Sequence, residues 1–489
     1  MNRVFLSVAS LALLLGSCTP NNPAVQLLNT AQAVGSITPE ETATPFPSRP
    51  EYNPGELVAY TAQTGDMLPG LAARFNTTAA EILDANPNIP ADVSTLPPGM
   101  PMEIPIYYLP LWGSQFQILP DHAFVNGPSS VDFDTQSFVD AYPGWLKDYK
   151  DYVGSETRSG ANIVDYVATN FSVSPRLLLA LLEYQSGALT QINKPSSPYI
   201  LGYIEPREHK GLYLQLVWAA NTLNNGYYGW RSGQQTEFDS VDSTLIRPDP
   251  WQNAASVGIQ YYFSRIMPIS TLDRAISLEG LFQTYSILFG DPWANQTIHM
   301  AGSLEQPDLL LPIPRESTWT YTGGPHTGWG VGEPLAGVDF APPTTQSGCF
   351  TASPMAYSVA MADGIVARVD TGIVILDLDN DGDERTGWAI LYLHVATQRR
   401  VPQGTLLNAG DSIGYPSCEG GRTTGTHIHI ARKYNGEWIA ADSPLPFDME
   451  GWIPHIGSKE YAGTLTRGGI TVKASPVSDS YSQVTAGPE

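Results

Sequence analysis

The sequence has few basic residues for its length. It holds 25 lysines and arginines against 48 aspartates and glutamates, so its formal net charge is −23 over 489 residues. No basic stripe accompanies this imbalance. Nucleic acids and anionic lipid surfaces are both held by clustered positive charge, so we expect no nucleic-acid partner and no electrostatic binding to anionic lipid.

A membrane-spanning apolar run is also missing at the start of the chain. The run from Val4 to Leu15 follows Met-Asn-Arg and is shorter than the roughly 20 residues that a spanning helix needs. A basic start, a short apolar stretch and small residues are typical of a secretory signal. Leu15-Gly16-Ser17-Cys18 resembles a bacterial lipobox. That resemblance implies a signal peptide at 1–17, lipid on Cys18, and a lipoprotein anchored to a membrane at the cell envelope or cell surface. The alternative is an ordinary signal peptide with an incidental cysteine.

Cysteine is rare, with three in the chain. If Cys18 carries lipid, Cys349 and Cys418 remain, and an even pair in an exported chain predicts a disulfide. Closing such a long loop would stabilise the fold by about 4 kcal/mol in the chain-entropy model. The alternative is that one of the two cysteines binds a metal.

The length predicts about three domains, and the first of them follows a linker. Residues 18–50 are rich in proline and threonine, which is typical of an extended linker. Residues 51–107 read as a strand, two helices and a strand. This unit resembles a LysM module in Gly65-Asp66-Met67-Leu68, Ala72-Ala73-Arg74-Phe75, Ile82-Leu83 and Asn86-Pro87. The resemblance implies a small βααβ fold that binds glycans such as peptidoglycan. The alternative is an unrelated α+β spacer.

A helical, aromatic-rich domain is predicted at 131–300, after a connector at 108–130. Its segment from Val173 to Gly187 resembles the start of a lysozyme-like transglycosylase, which implies an all-α lysozyme-like fold. In that family a glutamate serves as general acid where this chain has Gln185. Glutamine has no proton to give, so we expect a non-catalytic domain that binds glycan or acts as a spacer. The alternatives are a glycosidase that uses another acid and an unrelated helical bundle.

Short alternating runs separated by turns predict antiparallel β structure at 305–456, with a final strand and tail at 457–489. Within this region His427 and His429 are one residue apart in a strand-like run, which puts both side chains on one face. Zinc sites for peptide hydrolysis use three protein ligands and leave a fourth position for water. Two imidazoles on one face, next to a group from a neighbouring strand, fit that requirement.

The same region resembles the M23 zinc endopeptidases of the β-lytic type. The resemblance rests on Gly323-Gly324-Pro325-His326, Gly337-Val338-Asp339-Phe340, Tyr392-Leu393-His394-Val395 and Gly425-Thr426-His427-Ile428-His429. It implies that His326, Asp339 and His429 bind Zn²⁺, and that His394 and His427 are catalytic. Many M23 enzymes place the first histidine four residues before the aspartate, where this chain has Leu335. The longer step from His326 to Asp339 fits the β-lytic branch.

An acidic cluster follows in the same region: Asp377, Asp379, Asp381 and Asp383. The D-x-D-x-D-G start resembles a calcium loop with oxygen ligands at alternating positions. The twelfth position is Trp388, where such loops want a glutamate. A solvated hairpin turn is therefore the preferred interpretation, with Ca²⁺ binding as the other.

Together these features predict a multidomain α+β peptidoglycan hydrolase. We expect a zinc-dependent endopeptidase that cuts peptide stems or crosslinks and is held at the wall by lipid and LysM. One alternative is a catalytically silent peptidoglycan-binding scaffold or amidase activator, and another is a glycosidase acting through the helical domain. The sequence does not specify the oligomeric state.

Overall fold

The computed structural model describes residues 49–109, 113–205, 207–295, 297–344 and 346–487. The predicted signal peptide, the lipidation site Cys18 and nearly all of the predicted linker lie outside these residues. Within the described ranges, no helix combines the length and the apolar character needed to cross a membrane.

The LysM-like unit contains β1 (Glu56–Thr61), α1 (Leu68–Arg74), α2 (Ala79–Ala85) and β2 (Pro101–Ile106). The two strands pair antiparallel, which confirms the predicted βααβ order. Helix α2 begins where Thr78 and Glu81 form a capping box: the Thr78 hydroxyl accepts from the Glu81 N–H, and the Glu81 carboxylate accepts from the Thr78 N–H. Leu71 and Ile82 are fully buried between helices and strands.

The described residues of the helical domain form eight helices and two short hairpins: α3 (Asp121–Phe124), α4 (Thr135–Asp140), β3 (Lys150–Val153), β4 (Glu156–Ser159), α5 (Gly160–Phe171), α6 (Pro175–Ser186), α7 (Leu212–Ser232), β5 (Phe238–Asp239), β6 (Leu245–Ile246), α8 (Ala254–Ser264), α9 (Ile269–Ala275) and α10 (Leu281–Phe289). A single-turn 3-10 helix lies at Pro128–Ser130. The longest helix, α7, ends at Gly233, whose positive φ of 77° suits a residue without a Cβ.

The segment predicted as a connector, 108–130, belongs in large part to this helical core. Ile118, Leu119 and Phe124 are fully buried against it. The apolar side chains of this segment are too few to form a core alone, so they pack where α5 to α8 offer an apolar surface.

In the part of the C-terminal domain that the structure describes, the main antiparallel sheet has nine strands in the order β13-β10-β11-β12-β15-β8-β7-β20, with β16 paired to β15. A pair, β9 and β14, and a three-stranded sheet, β17 to β19, complete it. The strands are β7 (Thr318–His326), β8 (Gly337–Ala341), β9 (Ser358–Val359), β10 (Gly364–Asp370), β11 (Gly372–Asp377), β12 (Trp388–Val395), β13 (Leu406–Leu407), β14 (Ser412–Gly414), β15 (Ile428–Tyr434), β16 (Glu437–Trp438), β17 (Ile453–Ile456), β18 (Gly463–Arg467), β19 (Ile470–Lys473) and β20 (Gln483–Thr485).

The last residues do not form a separate strand and tail, as the sequence suggested for 457–489. Strand β20 pairs with β7 at the edge of the main sheet, and Val484 lies opposite Trp319. Both side chains are buried in the core of the β domain. A single-turn 3-10 helix at Ser480–Ser482 precedes the strand. The segment is therefore part of the β domain, because its apolar residues complete that core.

One arginine joins the three domains. Arg231 of α7 lies 4% exposed and donates from Nε to Glu437 Oε1 of β16 at 2.8 Å. The same guanidinium donates to the carbonyl of Thr64 in the LysM-like unit and approaches Asp121 at 3.3 Å. Such a buried cation requires its partners, because an unpaired charge in this position is costly. The junction therefore couples the β domain to both preceding domains.

Candidate metal centre and cleft

Four adjacent strands in the middle of the main sheet supply the histidines and the aspartate that the sequence singled out. His326 ends β7, Asp339 lies in β8, His429 lies in β15 and His394 lies near the end of β12. His427 directly precedes β15. Asp339 and His429 are direct cross-strand partners, so their side chains project from the same face.

His326, Asp339 and His429 form a compact set of three potential ligands. The Nε2 atom of His326 lies 2.9 Å from Nδ1 of His429 and 3.3 Å from Oδ1 of Asp339. The His429 Nδ1 atom lies 3.1 Å from the same carboxylate oxygen. All three residues are buried. Two imidazoles and a carboxylate that converge in this way are a donor set that zinc uses in proteins.

Backbone carbonyls accept from one ring nitrogen of each candidate ligand histidine. The Nδ1 atom of His326 lies 2.7 Å from the Gly324 carbonyl, and Nε2 of His429 lies 3.1 Å from the Gly328 carbonyl. A carbonyl can only accept, so each of these nitrogens carries the hydrogen. The other nitrogens, Nε2 of His326 and Nδ1 of His429, face each other at 2.9 Å, which leaves them placed to bind one cation. Partners of this kind orient metal-ligating histidines in general.

Two positions next to the candidate ligands are glycines, and any side chain there would overlap a candidate ligand. A Cβ at Gly323 would lie 2.4 Å from Asp339 Oδ2, and a Cβ at Gly337 would lie 2.2 Å from His429 Cε1. Gly323 is the cross-strand neighbour of Asp339 and Gly337 is that of His326. The glycines of the two sequence motifs therefore have a packing role beside the candidate metal ligands.

The charge state of the set also suits a cation. Burial acts to raise the pKa of Asp339, but His326 and His427 outweigh it and hold that pKa well below the usual range of a carboxyl. The carboxylate is therefore ionised although it is buried, and it contributes a negative charge at the point where the imidazoles converge.

His394 and His427 lie beside the three ligands but have different partners. The Nδ1 atom of His394 donates to the Glu419 carbonyl at 2.8 Å, and Nδ1 of His427 lies 2.8 Å from the Gly425 carbonyl. Each ring therefore keeps Nε2 free of these backbone contacts. His394 adopts a left-handed backbone with φ of 68°, which is uncommon outside glycine. Burial, together with the nearby His427, lowers the pKa of His394 to about 4.

All five residues line one cleft of about 860 Å³. Cys349 and Cys418 form the predicted disulfide, with a Cα–Cα distance of 5.9 Å. Cys349 lies between Gly348 and Phe350, which both line the cleft. Cys418 precedes Glu419, whose carbonyl accepts from His394. The disulfide thus ties one wall of the cleft to the segment that orients a candidate catalytic histidine.

The acidic cluster is only partly assembled as a cation site. Carboxylate oxygens of Asp377, Asp379 and Asp381 lie within 4.8 Å of one another. Asp377 also accepts from the Gly382 N–H at 2.9 Å, as a turn-capping carboxylate does. Asp383, the fourth predicted ligand, instead pairs with Arg385 at 2.6 Å. Calcium binding stays a prediction.

Gln185 has a structural partner at the position where a lysozyme-like enzyme needs an acid. Its side chain donates to the Leu201 carbonyl at 2.9 Å and accepts from the Tyr262 hydroxyl. Glu183 accepts from the Leu189 N–H at 2.8 Å and from the Thr190 hydroxyl, so it holds the turn after α6. The lysozyme-like character of the domain stays a prediction.

Sequence reasoning missed Tyr461. Its ring stacks on His326 with centroids 4.0 Å apart and also lines the cleft. It lies in the segment interpreted as a strand and tail, and no motif marked it. The carbonyls of Gly324, Gly328 and Glu419 were missed as well, since a backbone acceptor has no sequence signature.

Comparison with known families and proteins identifies two parts of the chain. A family model described as LasA, N-terminal domain, matches residues 117–301. A second model, the LysM domain, matches residues 60–105. The helical domain is therefore a LasA N-terminal domain, and the first domain is a LysM domain.

Relatives extend the similarity into the β domain. The protease LasA of Pseudomonas aeruginosa is 23% identical over 339 residues, which cover 66% of this chain and 75% of the relative. The β-lytic metalloendopeptidase of Lysobacter enzymogenes is 28% identical over 137 residues, which cover 27% of this chain and 71% of the relative. A solved M23 metalloprotease from the deep sea, pseudoalterin, is 21% identical over 35% of this chain and 96% of its own, with a TM-score of 0.29. The chain thus carries a LysM domain and a LasA N-terminal domain, and it is a homologue of the protease LasA and of β-lytic metalloendopeptidase.

Proposed function

We propose that this protein is a zinc-dependent endopeptidase that cuts peptide bonds in the stems or crosslinks of peptidoglycan. The observation that carries the proposal is the convergence of His326, Asp339 and His429, with both imidazole tautomers set by backbone carbonyls. A silent wall-binding protein has no need to preserve such a donor set. The names of the two relatives, a protease and a metalloendopeptidase, support the same activity.

The donor set fits zinc in ligand type and number. His326 and His429 would supply nitrogen ligands and Asp339 an oxygen ligand. Zinc bound there would supply a Lewis acid that makes water nucleophilic near neutral pH and polarises a carbonyl. The buried Asp339 carboxylate would balance part of the metal's charge, and Tyr461 covers one face of the His326 ring.

His394 and His427 are the groups placed to handle protons. Their rings lie 4.6 Å apart, and both line the cleft beside the ligands. With Nδ1 of each ring on a carbonyl, Nε2 is the atom that can accept a proton from the attacking water or donate to the oxygen of the scissile carbonyl. We assign both histidines to catalysis without dividing the two roles.

The LysM domain supports peptidoglycan as the substrate, since a glycan-binding module would bring the peptidase to the peptides attached to glycan strands. We further infer that Cys18 carries lipid and anchors the exported protein to a membrane at the cell envelope. The mass of the amino-terminal peptide of the protein purified from membranes tests this anchor. An unmodified terminus would leave LysM as the means of attachment.

The test of the proposed function is mass spectrometry of fragments released from purified peptidoglycan. The full mature protein is compared with the same protein after chelation and with chelated protein given zinc again. New peptide amino termini that vanish with chelator and return with zinc would establish the activity and identify the bond. New glycan ends would instead indicate a glycosidase in the helical domain. Wall binding without release from several wall types would indicate a silent scaffold or amidase activator.

A further inference from the structure

The loop at 328–333 is one wall of the cleft and lies between two of the candidate ligands in the chain. It joins the strand that ends at His326 to the strand that holds Asp339. Its first four residues, from Gly328 to Val331, line the cleft. The position of this loop therefore affects whatever binds there.

The helical domain provides two side-chain acceptors for this loop. Asn221 Oδ1 accepts from the Val331 N–H at 2.9 Å. Asn225 Oδ1 accepts from the Glu333 N–H at 2.7 Å. The two asparagines are four residues apart on α7, about 6 Å along the helix axis. Two residues of open chain span a similar length, so one turn of α7 matches alternate N–H groups of the loop.

Two glycines make this contact possible. Gly330 and Gly332 have φ values of 85° and 84°, a backbone region that other residues rarely adopt. A Cβ at Gly330 would lie 2.2 Å from Asn221 Oδ1, and a Cβ at Gly332 would lie 2.2 Å from Asn225 Oδ1. Loop and helix are thus complementary at two consecutive points.

A second set of contacts leads from α7 to a metal ligand. The Tyr228 hydroxyl accepts from the Trp438 N–H at 3.0 Å. The Trp438 ring packs on Gly328, where an added Cβ would lie 3.0 Å from the ring. The carbonyl of Gly328 is the partner of His429 Nε2. The start of the loop is therefore held between α7, the sheet and the candidate metal centre.

We propose that α7 is a positioning element of the peptidase site, and that Asn221 and Asn225 hold the 328–333 loop as a wall against which the peptide substrate binds. The proposal rests on the proposed function. It makes the LasA N-terminal domain a part of the substrate-binding cleft of this chain. Asn221 and Asn225 act through the loop and are positioning residues.

The test uses the full chain with Asn221→Ala and Asn225→Ala combined. We expect KM for a peptide that the wild type cleaves to rise at least about tenfold, the loss that two neutral hydrogen bonds predict, with kcat within about threefold. Zinc content should stay at the wild-type level. Asn162→Ala, an exposed asparagine on α5, is the matched control and should leave KM unchanged. Asn221→Asp keeps the acceptor oxygen and should stay closer to wild type than Asn221→Ala.

Hydrogen exchange of the full chain gives a readout that needs no activity. The peptide containing the Val331 and Glu333 amides should exchange faster in the double variant, while peptides from the main sheet keep their protection. Unchanged exchange, or an unchanged KM in a variant whose loop exchanges faster, would overturn the proposal. If the double variant lost both zinc and activity, the proposal would also be overturned, because the asparagines would then act on the metal centre. An inactive wild type would refute the proposed function, and this proposal with it.

Discussion

His427 and His429 are one residue apart, yet the structure predicts different effects on zinc content when each is replaced by alanine. His429 Nδ1 lies within 2.9 Å of His326 Nε2 and within 3.1 Å of Asp339 Oδ1, whereas His427 Nε2 lies 3.6 Å from Asp339 Oδ1. His429 is thus a member of the candidate ligand set and His427 is its neighbour. His429→Ala should lose zinc and activity together, and His427→Ala should keep zinc and lose activity.

The size of the second effect follows from the role of His427. A positioned general acid or base contributes about 10²- to 10⁴-fold to rate, which corresponds to about 3–5 kcal/mol of transition-state stabilisation. The His427 side chain is not part of the core, so its removal should leave the fold intact. We therefore expect kcat of His427→Ala to fall by about 10²- to 10⁴-fold at unchanged zinc content.

The assay measures zinc by mass spectrometry after dialysis, and kcat on a peptide that the wild type cleaves, for each full-length variant. His209→Ala in the helical domain is the control and should match the wild type in both. Zinc loss in His427→Ala would make that residue a ligand and refute the assignment. Full activity in either variant would refute the role given to that residue.

Three further outcomes follow from the structure. Gly337→Ala should lose zinc at equilibrium dialysis, because its Cβ would lie 2.2 Å from His429 Cε1; retained zinc would show that the imidazole can move away without loss. The Cys349–Cys418 disulfide links residues 69 positions apart. Its reduction should lower the free energy of unfolding by about 4 kcal/mol in the chain-entropy model, and the melting temperature should fall with it. The ionised Glu437 side chain should stabilise the fold at pH values above 4.5, its pKa in the unfolded chain. This stabilisation should be lost as the pH falls towards 2, its pKa in the fold. The reason is that burial, which raises its pKa, is outweighed by Arg231 and His299, which hold that pKa at about 2. Glu437→Gln should therefore be less stable at pH 7 and lose less on acidification in pH-dependent urea unfolding.

The site was predictable to a large extent because its chemistry restricts residue type. Zinc ligation needs imidazole, carboxylate or thiolate, and the chain holds only eight histidines. Alternation along a strand placed His427 and His429 on one face, and the resemblance to M23 endopeptidases added His326, Asp339 and His394 to the predicted site. The structure brings all four histidines, with Asp339, into one cleft. The fold of the LysM domain was predictable for a similar reason, since its turns and caps are local.

Other features were not predictable because they depend on contacts between distant residues. Arg385, which pairs with Asp383 of the apparent calcium loop, also donates to the carbonyl of Ser130 at 2.9 Å, a contact with the helical domain 255 positions away. The segment at 457–489 lacked a recognisable motif, yet it completes the main sheet and supplies Tyr461. No local pattern records which distant surface a short apolar segment will cover.

The sequence by itself indicated the βααβ order of LysM, the antiparallel character of the β domain and the shared strand face of His427 and His429, because residue type and alternation govern these locally. The full donor set was predicted from the resemblance to M23 endopeptidases, and the disulfide pair from the cysteine count with Cys18 assigned to lipid. Only the tertiary structure decided the tautomers of the ligand histidines, since these depend on where the carbonyls of Gly324 and Gly328 lie. It also decided that α7 would hold the 328–333 loop, a contact between residues more than 100 positions apart. Such contacts arise from the packing of whole domains, which the amino-acid pattern of a single segment does not encode.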